Sequence, residues 1–592
     1  MTLSRPGLNS TLRSAPIRSA LVAIGFALSV AAFGDDRAIS AAPQIPRTNI
    51  QGWASFRGNF IETLFRHDPY FAVYQGRHDF DGRLPDWSDA GLKAQADFLR
   101  RAIQDAKGFP DQRLTAEDRL ERDYLIAVAR GRLFWLIDAD QPHHSPAFYI
   151  NGGLDPNVYI ARPYADAPTR MRAFIAFARA VPGAAAQIRA NLAMPMPVSF
   201  IDFGKAGFQG LADYYVGDAK AAFASVRDPA LQAEFDAAAG EASKAMAGLA
   251  NWLETGRASA TTDFALGEAR FARMLDATEM VTTPVAELEA IGRADLQRNQ
   301  TALAQACARF LPGGTITACM AKMNARKPQG GVVEAARAQL TTLKAFVAKA
   351  NIVSIPGTEQ AEVAESPPYN RQNFAYIDIP GPYETGLPSI YYISPPDPSW
   401  SKEVQDGYIP GEKDLLFTSV HEVWPGHFLN FLHANRATST FGKVFVGYAF
   451  AEGWGHYAEE MAWEAGLGAG DPETHIGQLS NALLRDCRFL SAIGLHTRGM
   501  TQAQSRALFV DQCYQDEGSA RQQAARGTYD PAYLNYTMGK LMIRKLREDY
   551  VASRGGRGAW KAFHDRFLGY GGPPIPLVRR AMMGDGDKGK LF

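Results

Sequence analysis

His421 and Glu422 stand side by side within residues 417–429, and His427 follows them after Pro425 and Gly426. Two imidazoles and an adjacent carboxylate are what a zinc hydrolase uses: the imidazoles hold the ion and the carboxylate takes a proton from the attacking water. In the common His-Glu-x-x-His arrangement the histidines are four apart and share a helix face, whereas here they are six apart. Six steps of a regular helix turn the second side chain roughly 120° from the first, so a regular helix cannot serve. Pro425 has no amide hydrogen and its ring collides with the carbonyl of His421, while Gly426 accepts backbone angles closed to other residues. The pair predicts a bulge of about two residues that returns both histidines to one face.

A catalytic zinc takes three protein ligands and keeps a fourth position open. Glu452, 25 residues beyond His427, is the expected third ligand, in Ala451-Glu452-Gly453-Trp454-Gly455-His456-Tyr457-Ala458-Glu459-Glu460. That interval lets a helix end, a loop at residues 438–442 turn the chain, and a second helix return beside the first. His456 lies four residues on from Glu452 and is the alternative ligand, or a support for one. A His-Glu pair alone more often marks an ordinary surface or core position. The third acid, flanked by Gly453 and Gly455 that admit a close neighbour, favours a metal site.

The elements that must position these residues read as helices. Leu92, Ala96, Leu99 and Ile103 form one stripe at helical spacing. Leu120, Tyr124 and Val128 form another, with Thr115 and Asp118 ahead of it in the pattern of a capping box. Ala-rich helical stretches cover residues 171–180, 231–253 and 333–349. Residues 352–410 carry too many prolines for helix interiors, and 374–379 and 389–393 within them are rich in Tyr and Ile. The expectation is a mainly α fold: one large helical body over residues 35–592 with a small inserted sheet. No fixed-period repeat is apparent, which disfavours a solenoid.

The 592 residues carry 62 basic and 62 acidic side chains, so overall charge points to neither nucleic acid nor an anionic membrane. Arg5, Arg13 and Arg18 precede an apolar run at residues 20–33 that ends in Ala32-Phe33-Gly34. This has the form of a signal peptide over residues 1–34, too short to span a bilayer, and predicts an exported protein, periplasmic or extracellular, with no stable membrane insertion after cleavage. No cysteine lies near the run to carry a lipid. Cys307, Cys319, Cys487 and Cys513 permit two local bridges in an oxidising compartment, or four buried thiols, and spacing leaves the pairing open. The absence of a Gly-x-Ser-x-Gly elbow disfavours a serine hydrolase.

The stretches His421-Glu422-x-x-Pro425-Gly426-His427 and Glu452-Gly453-Trp454-x-x-Tyr457-x-Glu459 are similar to those of the domain-of-unknown-function family 885, which is grouped with zinc metallopeptidases of the gluzincin type. The resemblance begins near Pro69-Tyr70-Phe71 and includes Arg485-Asp486-Cys487-Arg488, Gly494-Leu495-His496 and the stretch from Gly527 to Leu541; Ser491-Ala492-Ile493 departs from it. It implies an oligopeptidase-like helical body with a deep channel, a peptide substrate, Zn2+ as cofactor, and an oxyanion donor at His496 or Tyr536. A strand at residues 390–393 could then pair with a substrate backbone. Two further readings stay open: a helical binding protein with a structural or degenerate zinc site, and an amidase acting on a non-peptide substrate.

Overall fold

Apolar stripes at helical spacing become buried helix faces along most of the chain. The computed structural model describes residues 52–366, 374–396 and 401–592. The leader expected at residues 1–34 lies outside them. Leu92, Ala96 and Leu99 are buried on the helix Asp89–Lys107, whose first turn is capped by the Ser88 side chain accepting from the Gly91 amide. Thr115 caps the helix Ala116–Leu133 by accepting from the Asp118 amide. The Asp118 carboxylate accepts from the Thr115 hydroxyl at 2.8 Å and not from the backbone, so this is a simple cap and not the reciprocal box expected; Asp is one methylene shorter than the Glu or Gln that closes such a box. The Ala-rich stretches lie in the helices Ala167–Asn191, Pro229–Thr255 and Val332–Ala350.

Two hydrophobic cores result. One gathers the helices of residues 53–253, with Phe174, Phe235 and Leu253 at its centre; the other holds Val420, Phe428, Trp454 and Tyr533. Phe441 and Phe445 cross from the second half into the first core. They belong to a short helix, Thr440–Val444, and its cap, in the place where a loop was expected. Burying a Phe side chain contributes roughly 1.5–3 kcal/mol. The segment between His427 and Glu452 is therefore anchored in the amino-terminal half.

Three strands form the sheet: β1 (Ala361–Glu365), β2 (Ala375–Asp378) and β3 (Ser389–Ile393), in the order β1-β3-β2, with β1 parallel and β2 antiparallel to β3. Strands at 374–379 and 389–393 are as expected, β1 is an addition, and residues 402–408 of the proline-rich stretch are helical. The structure corrects one expectation here. β3 is central and pairs on both sides, so among the described residues the strand with an unpaired edge beside the cavity is β2, whose residues line the cavity wall. Arg162 holds β2 to the amino-terminal half through Asp378 at 3.0 Å and Glu384 at 2.8 Å.

Cys307 bridges to Cys319 and Cys487 to Cys513. The second loop ties the helix Pro472–Thr497 to the helix Gln502–Cys513. Each bridge is expected to contribute about 3 kcal/mol, so reduction under native conditions should lower Tm by several degrees in a thermal melt, and a Cys487→Ala, Cys513→Ala variant should reproduce part of that drop. No helix among the described residues is long and apolar enough to cross a membrane.

Candidate metal centre

The helix carrying His421 ends where the second histidine would otherwise be turned away. It runs Glu412–Glu422; Val423 leaves helical geometry, the Trp424–Pro425 peptide is cis, and a new helix starts at His427 and runs to Ala434. The expected bulge is thus a complete break between two helices. Gly426 is required at the junction: a Cβ there would lie 1.8 Å from the His421 carbonyl oxygen. The Pro425 carbonyl, freed from any helix ladder, accepts from the Trp454 indole at 2.8 Å, which ties the break to the next helix.

That next helix, Tyr448–Glu464, carries Glu452. At Gly455 a Cβ would stand 2.7 Å from the His421 ring, so glycine is what lets the imidazole lie against the helix backbone. At Gly453 the approach is to Gly539, which draws in the helix Asn535–Ala552 and with it Tyr536.

His421, His427 and Glu452 are all buried, and one potential ligand atom from each lies within 4.8 Å of the others. His421 Nε2 is 3.2 Å and His427 Nε2 3.4 Å from the same oxygen of Glu452. Ligands 2.0–2.1 Å from a tetrahedral ion stand about 3.3 Å apart, so the spacing fits a metal. The electrostatics fit as well. His421 Nδ1 lies 2.7 Å from Glu459, a carboxylate that Arg485 at 3.1 Å keeps ionised, below the ordinary range, against the opposing effect of burial. Donation from Nδ1 to Glu459 leaves an Nε2 lone pair facing the Glu452 carboxylate. Two acceptors cannot bond to each other, and a cation between them resolves the conflict; the alternative is a doubly protonated ring. Glu452 Oε1 and His427 Nδ1 are buried without a partner.

Glu422 lines the same cavity, half-buried, and burial raises its carboxyl pKa. The cavity has a volume of about 1120 Å3 and is walled by Tyr70, Tyr124 and Arg132 from the amino-terminal half, by β2, and by His421, His427 and Glu452.

The two histidine and tyrosine positions proposed to donate to an oxyanion separate. Tyr536 is in the cavity wall, its ring stacked on His421 with centroids 6.3 Å apart. His496 is not brought to the site. Its Nδ1 accepts from the Leu266 amide at 3.3 Å and its Nε2 donates to the Gly527 carbonyl at 2.7 Å; burial holds its pKa down at about 4, and its work is to join three chain segments. His456 also stands behind the site, fully buried, 3.3 Å from Glu459 through Nδ1, and so supports the carboxylate that orients His421. Arg485, whose part in the site was not read from the sequence, completes this support; its signal was the pair Arg485 and Arg488, three apart on one helix face.

Glu459→Gln is expected to keep the fold and weaken divalent-metal affinity about 10- to 100-fold, since the amide orients His421 poorly and carries no charge. Competition with a chromophoric chelator measures this, and an unchanged affinity would remove Glu459 from the metal's support.

Residues 69–582 match the family described as "Bacterial protein of unknown function (DUF885)". The chain belongs to this family. Among solved structures, a candidate lipoprotein of unknown function from Shewanella oneidensis is 24% identical with a TM-score of 0.75, covering 90% of this chain and 100% of its own. A candidate lipoprotein from Colwellia psychrerythraea is 16% identical with a TM-score of 0.76, covering 90% of this chain and 98% of its own. These likenesses establish a shared fold. No curated protein matches the chain.

Proposed function

We propose that this DUF885 protein is an exported, zinc-dependent peptidase acting on short or unfolded peptides. The observation that carries the reading is the convergence of His421, His427 and Glu452 on the wall of a peptide-sized cavity, the two Nε2 atoms 3.2 and 3.4 Å from one Glu452 oxygen, with Glu422 on the same wall. A donor set of two imidazoles and one carboxylate, with room for a further ligand, is that of catalytic zinc. When bound there, zinc supplies a Lewis acid that lowers the pKa of water and polarises a scissile carbonyl. Glu422 takes the proton of the attacking water and delivers it to the leaving amine. Tyr536, kept protonated by a pKa pushed up to about 12 by burial and by Glu452, donates to the oxygen that becomes negative. β2, the edge strand beside the cavity among the described residues, offers backbone groups to an extended substrate.

Export is supported by the apolar run at residues 20–33, by the two disulfides, and by the lipoprotein description of both structural neighbours. Incubating a mixed peptide library with the zinc-loaded protein and reading products by mass spectrometry tests the function. Cleavage that a chelator abolishes is the expected result; a library left intact at full zinc occupancy would refute it.

A further inference from the structure

Seven arginines are buried among the described residues. Six have carboxylate partners: Arg132 with Asp68, Arg162 with Asp378, Arg485 with Glu459, Arg526 with Asp530, Arg547 with Glu464, and Arg579 with Asp587. Arg488 has none among the described residues. It is 8% exposed and lines the cavity. Its Nε donates to the buried Gln523 side chain at 2.8 Å, and its guanidinium lies over the Tyr536 ring, 4.7 Å from the centroid. One edge and one face of the group are thereby fixed, and among the described residues the two terminal nitrogens have no protein acceptor. An uncompensated buried charge is costly, and a planar guanidinium held by its Nε presents the two-pronged end that matches a carboxylate.

We infer that Arg488 binds the terminal carboxylate of the substrate, which makes the enzyme an exopeptidase working from the carboxyl end. The inference rests on the peptidase reading for its chemistry. The distances set the cleavage position. Arg488 and His421 both lie against the Tyr536 ring, the guanidinium 4.7 Å and the imidazole 6.3 Å from its centroid, so the carboxylate site and the candidate metal centre are neighbours. A peptide advances about 3.3–3.6 Å per residue, so a chain whose carboxylate sits on Arg488 presents a bond within about two residues of its end to Glu422.

The test is calorimetric titration of the full-length, zinc-loaded Glu422→Gln protein with three peptides: a free acid, the carboxyl-terminal amide of the same sequence, and an amide in which Asp replaces the last residue. The acid is expected to bind about 10- to 100-fold more tightly than either amide, the range of a charge-assisted hydrogen bond. Adding Arg488→Met should bring the acid-to-amide ratio close to one, while Arg488→Lys, which keeps the charge without the fork, should retain part of it. Equal affinity for acid and amide, a preference that survives Arg488→Met, or equal binding of the Asp-amide peptide would each overturn the assignment. An acid preference that depends on Arg488, in a wild-type protein that cuts none of these peptides, would leave the carboxylate site standing and remove the peptidase reading.

Discussion

Glu422→Gln should retain one zinc per chain and lose hydrolysis by a factor of about 10²–10⁴, the usual contribution of a positioned general base. The amide matches the carboxylate in shape, so it preserves the cavity wall, but it cannot take a proton from water. Glu422 is adjacent to His421 on the last turn of its helix and lines the cavity, while the candidate metal ligands are three other side chains. Metal content and rate should therefore separate in this variant alone. Zinc is measured by plasma mass spectrometry and rate on a peptide that the wild type cleaves; wild-type turnover in Glu422→Gln would transfer the base to another group.

His427→Ala, His421→Ala and Glu452→Ala should each abolish stoichiometric zinc and reduce hydrolysis at least on the order of a thousand-fold. Their effects on folding should differ. His427 Nδ1 has no partner, so its removal disturbs few hydrogen bonds. Loss of His421 removes a partner from two buried carboxylates at once, Glu452 at 3.2 Å and Glu459 at 2.7 Å. It leaves Glu452 with His427 at 3.4 Å and Glu459 with Arg485 at 3.1 Å, so the cost is expected to be part of the roughly 3–5 kcal/mol of a fully uncompensated buried charge. In a thermal melt with chelator present, His421→Ala should melt well below His427→Ala. Equal melting temperatures would mean that Glu459 is satisfied by Arg485 and His456 without His421.

The convergence of His421, His427 and Glu452 was legible because their residue types and their spacing are both constrained. Pro425-Gly426 also announced an irregularity, since the steric conflict is with a carbonyl only four or five positions back. The form of that irregularity was not legible: the broken form is tied down by the Trp454 indole, which donates to the Pro425 carbonyl from 29 residues away. His496 and Tyr536 looked equivalent as residue types. What separates them is tertiary: His496 is claimed by the Leu266 amide, 230 positions distant in the chain, and Tyr536 is delivered by the Gly453–Gly539 contact. The strand β1, with Glu362 and Glu365 in five residues, has little strand character of its own and is held by its parallel pairing with β3. That pairing is also what moved the unpaired edge to β2. Helices with long apolar stripes, such as Asp89–Lys107, needed no such outside information.

Zinc reconstitution of the chelator-treated protein, with bound metal and peptide hydrolysis followed in the same titration, bears most directly on the central claim. Hydrolysis should be absent at the start, rise in proportion to bound zinc, and reach its plateau at one equivalent per chain. Hydrolysis that persists without metal, or a chain that fills its site with one zinc and cleaves nothing, would contradict a zinc peptidase centred on His421, His427 and Glu452.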